Sequence, residues 1–253
     1  MSSFDLTGRL ALVTGAKRGI GFAIAEALAA AGADIVGVSA TLDPQTSAIG
    51  DRVREIGREF TGYKVDFSDR EAVLAFAAEV STGTRSIDIL VNNAGTIERA
   101  PAADHPLDLF DRVLEVNLAS QFVISQAIGK RMLAEGHGRL IFTASLLSFQ
   151  GGINVPGYAA AKSGIAGLVR ALSNEWASSG VTVNGIAPGY IATDNTQALQ
   201  DDAHRSQSIL DRIPAARWGR PEDLGGAAVF LASDAAAYVS GAILPVDGGW
   251  LGR

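Results

Sequence analysis

Residues 9–32, RLALVTGAKRGIGFAIAEALAAAG, join a short apolar run, a glycine-rich turn and a helix-forming segment. The glycines follow the spacing Gly-x-x-x-Gly-x-Gly at Gly15, Gly19 and Gly21. Because glycine has no side chain, backbone N–H groups at the start of the helix can approach a diphosphate, and the helix dipole favours negative charge there. Strand, glycine turn and helix together predict a dinucleotide-binding unit, and a tight packing turn is the alternative.

Beyond this stretch, apolar runs alternate with helix-forming segments. Strands are predicted at 9–14, 34–39, 63–66, 87–91, 139–143, 181–186 and 242–246, and helices at 22–31, 45–60, 68–80, 110–133, from 158 onward and at 221–231. Ser68, with Glu71 three residues later, is the expected N-cap of the helix at 68–80. Such alternation is typical of an α/β fold with a parallel sheet.

We therefore expect a single Rossmann-type domain over residues 1–253. Its doubly wound parallel sheet should have about seven strands with helices on both faces. Residues 190–218 are polar and lack the regular alternation of the other segments. We expect this segment, called the lid below, to cover the substrate.

Charge and composition exclude several kinds of partner and chemistry. The net charge is −6, so no basic face is expected for nucleic acid or for an anionic membrane. The absence of cysteine excludes disulfides and thiolate catalysis, and the three histidines are too far apart for a predicted metal site. The N-terminal residues lack a signal-peptide pattern and no apolar run is long enough to span a bilayer, so we expect a cytoplasmic protein.

A second stretch, SLLSFQGGINVPGYAAAK at 145–162, carries the predicted chemistry. Tyr158 and Lys162 lie four residues apart in a helix-forming run, which places both side chains on one helical face. A positive charge beside a phenol favours the phenolate, which brings tyrosine into the range of acid/base catalysis at neutral pH. An exposed surface pair is the alternative reading of the same spacing.

The end of the second predicted strand bears on the choice of cofactor. Dinucleotide-binding folds often carry a carboxylate there to bind the adenosine ribose, but this chain has Ser39, Ala40 and Thr41. With Lys17 and Arg18 in the glycine loop, NADP is permitted and NAD is not excluded; both basic residues are otherwise solvated loop charges.

Two further polar positions have open interpretations. Asp66 ends the third predicted strand, where it accepts a hydrogen bond from an adenine amine or closes a turn. Asn117 lies inside an apolar helix, which is unfavourable unless its amide is satisfied, so it is structural or part of a polar relay.

Taken together, the motifs resemble the short-chain dehydrogenase/reductase family over essentially the whole chain. They occur in the family's order: Thr14-Gly15-x-x-x-Gly19-x-Gly21, Asn92-Asn93-Ala94-Gly95, Asn117, Ser145, Tyr158-x-x-x-Lys162 and Pro188-Gly189. Several motifs in order on a matching strand and helix pattern are far more specific than any one of them.

The resemblance implies a catalytic role for four residues. Tyr158 would exchange a proton with the substrate oxygen, Lys162 would lower its pKa and hold the nicotinamide ribose, and Ser145 would hydrogen-bond the substrate oxygen. Asn117 would hold a water in a relay that reaches Lys162. The expected cofactor contacts are Gly15, Lys17, Arg18, Gly19, Ile20, Gly21, Ser39, Asp66, Asn93, Ala94, Gly95, Tyr158, Lys162, Pro188, Gly189, Ile191 and Thr193.

A narrower similarity lies in the segments 148–158, 174–177, 187–197, 209–219 and 246–253, which resemble the 2-deoxy-D-gluconate 3-dehydrogenases, also described as 2-dehydro-3-deoxy-D-gluconate 5-dehydrogenases. This implies a sugar-acid substrate, carbohydrate metabolism and a lean toward NAD. Ser145, Tyr158, Gln150, Tyr190, Asn195 and Trp218 are the candidates for the substrate hydroxyls and ring, and Arg99 or Arg217 for the carboxylate. Surface ion pairs are the alternative for both arginines. The family also implies a homotetramer.

Two rival functions remain open at this stage. Lys17, Arg18 and Ser39 also fit an NADPH-dependent 3-oxoacyl-thioester reductase. A non-catalytic nucleotide-sensing protein would keep the fold, but it would not need Asn117, Ser145, Tyr158 and Lys162 together.

Overall fold

The computed structural model describes residues 2–253 and contains one parallel sheet of seven strands. The strands are β1 (Leu10–Thr14), β2 (Asp34–Ser39), β3 (Phe60–Lys64), β4 (Ile89–Asn92), β5 (Gly138–Thr143), β6 (Val181–Pro188) and β7 (Ile243–Val246). They are ordered β3-β2-β1-β4-β5-β6-β7. β1 to β3 extend toward one edge of the sheet and β4 to β7 toward the other, so the strand order reverses between the neighbours β1 and β4. The predicted doubly wound α/β fold is confirmed, and ligands bind such sheets where the strand order reverses.

Helices cover both faces of the sheet. They are α1 (Gly19–Ala30), α2 (Ala48–Glu55), α3 (Arg70–Ser81), α4 (Leu107–Leu114), α5 (Ser120–Glu135), α6 (Pro156–Trp176), α7 (Gln197–Asp201), α8 (Ala203–Leu210) and α9 (Gly225–Ala232). One core cluster joins α3, α5 and α6 to the sheet through residues such as Phe76, Ile128 and Val169. The other joins α1, α2 and α9 through Leu28, Val53 and Leu231. Strands buried on both faces explain the nearly continuous apolar runs in the sequence.

The predicted helix at 45–60 is wrong at its C-terminal end. α2 stops at Glu55, Gly57 follows with a positive φ of 85°, and Phe60 begins β3. The N–H of Arg58 donates to the carbonyl of Val53, so the glycine closes the helix in the left-handed conformation that residues with a Cβ adopt rarely.

The expected N-cap of α3 is also wrong by one residue. Asp69, not Ser68, caps the helix, because its carboxylate accepts from the N–H groups of Glu71 and Ala72 at 3.0 and 3.1 Å. The Ser68 hydroxyl donates instead to Asp66 at 2.7 Å. A carboxylate at the cap also interacts favourably with the helix dipole.

The lid contains more regular structure than its sequence predicts. It includes α7 and α8, and Asp202 caps α8 by accepting from the N–H of Arg205 at 2.9 Å. Ile209 and Ile213 are buried in a third apolar cluster with Leu146 and Trp250. The expectation of an irregular segment is therefore wrong, because this part of the chain forms the two short helices α7 and α8, which pack onto this small cluster.

Within residues 2–253, no helix is both long enough and apolar enough to cross a membrane. Over the same residues, no three His, Asp or Glu side chains lie together in a way that would hold a metal ion.

Candidate active site

The predicted site residues gather at the carboxyl edge of the sheet. Since all seven strands are parallel, the last residues of β1, β2, β4, β5 and β6 face the same side. The glycine loop follows β1, Asn93 to Gly95 follow β4, and Pro188 and Gly189 end β6. The topology thus brings together segments that are widely separated in the chain.

The glycine loop is bent and packed so closely that side chains would not fit at its glycines. Gly15 and Gly19 have positive φ values of 71° and 57°, and a Cβ on Gly21 would lie 2.2 Å from the carbonyl oxygen of Gly15. α1 starts directly after Arg18 with no side-chain cap and no acidic residue in its first turn. Its first N–H groups are therefore suited to the diphosphate of a dinucleotide.

Thr14, the last residue of β1, forms hydrogen bonds with the residues that follow β4. Its Oγ1 accepts from the N–H groups of Asn93 and Ala94, both at 2.8 Å, and its carbonyl accepts from Asn93 Nδ2 at 3.0 Å. Thr143 at the end of β5 donates from Oγ1 to Asn93 Oδ1 at 3.2 Å. Asn93 is thus held from both sides, and the adjacent Gly95 lies close to the Asn117 amide. Thr14 and Thr143 were not predicted as site residues, although their places as last residues of strands are a usable signal.

Basic residues and hydroxyls meet at the end of β2, as predicted. The backbone N–H of Lys17 donates to Ser39 Oγ at 3.1 Å, and Lys17 Nζ donates to the carbonyl and the hydroxyl of Thr41 at 2.8 and 3.0 Å. Arg18 instead forms an ion pair with Asp194 of the lid. Lys17, rather than Arg18, therefore lies beside the strand end where an adenosine ribose is expected.

Asp66 closes a turn in this structure. Its Oδ1 accepts from the N–H and Oγ of Ser68 at 2.8 and 2.7 Å, and these bonds lower the pKa of the carboxyl. One of the two readings from sequence thus matches its contacts, and a contact with adenine stays a prediction.

The lid approaches the glycine loop at Thr193. Its methyl carbon would lie 3.5 Å from a Cβ on Gly19, and its backbone N–H donates to Thr196 Oγ1 at 3.0 Å. Ile191 is buried and bridges to Gly219, so its side chain faces the protein interior. Of the residues predicted after Pro188-Gly189, Thr193 is thus the one placed against the cofactor loop, while Ile20 in α1 is half-buried against the core.

Lys162 and Tyr158 lie together on α6, as the four-residue spacing predicts. Lys162 is buried, its Nζ donates to the carbonyl of Thr143 at 2.6 Å, and it lies 5.5 Å from the centroid of the Tyr158 ring. Burial lowers the pKa of Lys162 to about 8. An ammonium with so low a pKa can exchange protons near neutral pH.

The expectation that Lys162 lowers the pKa of Tyr158 is not met here. Burial of the phenol raises the pKa of Tyr158, and the smaller lowering effects come from a hydrogen bond with Ser145 and from the charge of Arg99. Desolvation outweighs both because the phenolate loses its hydration inside the site. Tyr158 therefore carries its proton in this arrangement, next to the hydroxyl of Ser145.

The loop that carries Ser145 is tied to α6. Ser145 Oγ accepts from the N–H of Leu147 at 3.2 Å, and Ser148 Oγ donates to the carbonyl of Lys162 at 2.7 Å. Ser148 also accepts from the N–H of Ser145 at 3.3 Å. This serine was not predicted from the sequence, and it connects the catalytic loop to the catalytic helix.

Asn117 is satisfied by a single backbone segment. Its Oδ1 accepts from the N–H of Thr96, and its Nδ2 donates to the carbonyl of Thr96, both at 2.8 Å. The helix widens to a π-turn over Glu115–Ala119, where the N–H of Ser120 donates to Glu115. Both ends of the buried amide thus have a partner, and the expected binding of a relay water by Asn117 stays a prediction.

The two candidate arginines differ in how much of their bonding capacity is used. Both Nη atoms of Arg217 bond to the carboxylate of Asp223, at 2.6 and 3.0 Å, and this pairing holds the pKa of Asp223 at about 2. Arg99 donates from Nη2 to the carbonyl of Asn195 at 3.1 Å, and its charge acts on Tyr158. Arg99 therefore keeps N–H groups for a ligand, whereas Arg217 is a surface ion pair, the alternative that the sequence left open.

Three of the remaining substrate candidates, Gln150, Tyr190 and Trp218, lie around Trp250. The ring of Tyr190 is edge-to-face with Trp218 at 5.7 Å and lies 4.7 Å from Trp250. Trp250 Nε1 donates to Gln150 Oε1 at 3.4 Å, and Trp218 Nε1 donates to Ser206 at 3.3 Å. Trp250 was not among the predicted site residues.

The contacts among Ser145, Tyr158 and Lys162 suit one chemical task. Two hydroxyls can hydrogen-bond the same oxygen, and a titratable amine lies behind the phenol. Such a site transfers a proton to or from a substrate oxygen while a cofactor beside it exchanges the hydride.

Known proteins resemble this chain over its full length. A family model described as enoyl-(acyl carrier protein) reductase matches residues 15–251. The chain is 63% identical to the 2-dehydro-3-deoxy-D-gluconate 5-dehydrogenase of Pseudoalteromonas atlantica over 253 residues, all of both chains. It is 40% identical over 245 residues to the 3-oxoacyl-[acyl-carrier-protein] reductase of Escherichia coli, which covers 97% of this chain and 98% of that protein.

Two solved structures match all of this chain and all of their own. A protein from Beutenbergia cavernae, provisionally identified as an NAD(P)-dependent gluconate 5-dehydrogenase, has NADP bound at low occupancy, is 49% identical and has a TM-score of 0.96. A protein from Agrobacterium tumefaciens, provisionally identified as a 2-deoxy-D-gluconate 3-dehydrogenase, has bound NADP, is 50% identical and has a TM-score of 0.93.

These matches agree with the strand order, the glycine loop before α1 and the cluster of Ser145, Tyr158 and Lys162. The family predicted from the sequence motifs is thereby confirmed. The chain belongs to the short-chain dehydrogenase/reductase family of nicotinamide-dependent oxidoreductases.

Proposed function

We propose that this enzyme interconverts a secondary alcohol and a ketone on a sugar acid such as 2-dehydro-3-deoxy-D-gluconate or 2-deoxy-D-gluconate. The observation that carries this proposal is Arg99, whose one hydrogen bond, to Asn195 of the lid, leaves N–H groups for a carboxylate and whose charge acts on the phenol of Tyr158. The names of the relatives at 63% and 50% identity support the same substrate class.

The chain's own residues would handle the proton of the reaction. In reduction, Tyr158 Oη gives its proton to the substrate oxygen while Ser145 Oγ holds the same oxygen. In oxidation, Tyr158 first passes its proton to neutral Lys162 and then takes the hydroxyl proton of the substrate. Lys162, with its pKa near 8, can supply or accept that proton behind the phenol. The nicotinamide ring supplies the other half of the chemistry by accepting or donating the hydride.

Arg99 is the proposed carboxylate-binding residue. Its single hydrogen bond, to the carbonyl of Asn195, leaves other N–H groups for a carboxylate, whereas Arg217 is committed to Asp223. A carboxylate bound there would bring the sugar hydroxyls toward Gln150, Tyr190, Asn195 and Trp218 within the lid and the catalytic loop.

The proposed cofactor is NADP in preference to NAD. The strand end at Ser39 has no carboxylate to repel a 2′-phosphate, and Lys17 Nζ lies there on the Thr41 hydroxyl. The NADP bound by the two solved relatives supports this choice, and neither structure supports the preference for NAD expected from the narrower resemblance. Lys17→Ala should weaken NADP binding by about tenfold and leave NAD binding within a factor of two, as measured by fluorescence titration.

One assay tests the proposed reaction. The absorbance of reduced nicotinamide is followed with 2-deoxy-D-gluconate and related hexonates against NADP and NAD, and a 3-oxoacyl thioester with NADPH runs in parallel. Turnover of a hexonate is the expected result. Turnover of the thioester alone would overturn the substrate assignment and favour the rival reductase, which the 40% identity to the Escherichia coli enzyme supports less strongly.

We also propose a cytoplasmic homotetramer, on the family's usual assembly. Exposed apolar side chains such as Leu107 and Phe122 on α4 and α5 would then be covered by a second copy. Light scattering should give four times the chain mass of 26.2 kDa, and a monomer mass would remove the proposal.

A further inference from the structure

The C-terminal residues 247–253, called the tail below, run along the base of the lid. The N–H of Ala215 donates to the carbonyl of Gly248 at 3.0 Å, and Arg253 Nη1 donates to the carbonyl of Asp211 at 2.8 Å. The carboxylate of Asp247 accepts from two N–H groups within the tail. The tail is therefore fixed to the lid by its backbone as well as by side chains.

The two glycines of the tail allow this close approach. Gly248 and Gly249 have positive φ values of 65° and 93°. A Cβ on either residue would lie 2.9 Å from a carbon of the lid, Ile213 Cγ2 for Gly248 and Pro214 Cγ for Gly249. Both the backbone conformation and the lack of space require glycine at these positions.

Trp250 extends from the tail into the small cluster beneath the lid. Its side chain is buried with Ile209 and Ile213, and the guanidinium of Arg212 lies 4.0 Å from the ring centroid. Leu146, which directly follows Ser145, belongs to the same cluster. One indole thus contacts the lid and the catalytic loop at once.

The polar edge of the same indole faces the substrate candidates. Nε1 of Trp250 donates to Gln150 Oε1 at 3.4 Å, and the Tyr190 ring lies 4.7 Å away. A glutamine whose carbonyl oxygen is bound in this way presents its NH₂ group to a ligand as a donor. The orientation of Gln150 therefore depends on a residue near the end of the chain.

We propose that Trp250 is a positioning residue that fixes the arrangement of the groups that would bind the sugar acid. It holds Gln150 by a hydrogen bond and holds the base of the lid by packing. The inference rests on the proposed function where it assigns Gln150 to the substrate, while its effect on the lid does not need a substrate.

Steady-state kinetics with Trp250→Phe test the first part. This change removes the N–H donor and keeps an aromatic ring, so KM for the sugar acid should rise about fivefold while kcat stays within twofold. Gln150→Leu should raise KM similarly, and the double variant should show no further increase, because both changes remove one interaction. Affinity for NADP should be unchanged in all three proteins.

Trp176→Phe is the matched control. Trp176 ends α6 and its ring packs on Gly129 and on the main core, not on the cluster beneath the lid, so the change should lower thermal stability without changing KM. An unchanged KM in Trp250→Phe, or effects of Trp250→Phe and Gln150→Leu that add in the double variant, would overturn the role of Trp250 in placing Gln150.

Trypsin provides a readout that needs no substrate. The lid contains Arg205 and Arg212, and Trp250→Leu should accelerate cleavage after them several-fold, whereas Trp176→Phe should not. If the wild-type enzyme turned over no sugar acid, the proposed function would fail, and faster cleavage would still support the role of Trp250 at the lid. Equal cleavage rates for wild type and Trp250→Leu would overturn that role.

Discussion

The catalytic helix α6 and the lid face the same site but are held by different amounts of buried surface. α6 buries Ile165, Val169 and Leu172 in the main core beside the sheet. The lid buries Ile191 at its start against the core, buries Ile209 and Ile213 in a cluster of four residues, and adds ion pairs near the surface. Since each buried aliphatic side chain contributes about 1.5–3 kcal/mol, the helix is more firmly held than the lid beyond Ile191.

This difference separates the chemistry from the choice of substrate. Tyr158 and Lys162 stand on a rigid element, which keeps the proton-transferring atoms at fixed positions. Tyr190, Asn195 and Trp218 stand on the weakly held lid, where sequence changes have fewer packing partners to disturb. We therefore expect changes on α6 to alter the rate of reaction and changes in the lid to alter the affinity for substrate.

Tyr158→Phe should show the largest effect and lies on the α6 side of the comparison. Without the phenolic proton, kcat should fall about 10²- to 10⁴-fold, while affinity for NADP stays near that of wild type. Stopped-flow measurement of hydride transfer and a binding titration together check this result. Retention of more than a tenth of wild-type kcat would mean that another group transfers the proton.

Lys162→Met should show how much the buried Lys162 lowers the free energy of unfolding. Burial lowers the pKa of Lys162 to about 8 in the folded protein from 10.5 in the unfolded chain, so the unfolded chain binds more protons between these values. Stability of the wild type should therefore rise with pH through this window, by up to about 3 kcal/mol relative to Lys162→Met. Urea unfolding at pH 7 and pH 10 measures the change.

Lys130→Met is the control for the loss of a positive charge, because Lys130 is exposed on α5. A stability difference between wild type and Lys162→Met that is the same at both pH values would show that Lys162 is not buried as described.

Gly21→Ala tests the close packing of the glycine loop at the start of α1. The new Cβ would lie 2.2 Å from the carbonyl oxygen of Gly15 and 2.5 Å from Asn93 Nδ2, so the backbone must shift. We expect a loss of about 1–3 kcal/mol in stability and a tenfold or greater loss in NADP affinity. Gly226→Ala, at an exposed glycine of α9 with no atom within 4 Å of the new Cβ, should be neutral or slightly stabilising.

Substitutions of the two candidate arginines, Arg99 and Arg217, should have the smallest effects. They test the expectation that changes at the lid alter the affinity for substrate. Arg99→Ala should raise KM for the sugar acid about tenfold, because a charge-assisted contact with the carboxylate is lost. Arg217→Ala should leave KM within twofold and slightly lower the melting temperature, because its partner is Asp223. The opposite pattern of KM values would exchange the roles of the two arginines.

Much of the fold and of the catalytic centre could be predicted because the signals are local. Tyr158 and Lys162 share a helical face by their spacing, and Gly15, Gly19 and Gly21 mark the turn between β1 and α1. Errors arose where two local signals compete. Gly57 ended α2 inside a segment predicted as helix, and Asp69 replaced its neighbour Ser68 as the cap of α3.

The sequence by itself determined the α/β class, the glycine loop and the pairing of Tyr158 with Lys162, since each depends on residues a few positions apart. Only the tertiary structure decided that Lys162 donates to Thr143, that Arg217 pairs with Asp223 while Arg99 bonds to Asn195, and that Trp250 donates to Gln150 across 100 residues of chain. Contacts over such separations depend on how the elements pack and on which polar groups burial forces together. Helical and strand periodicity carry no information about either.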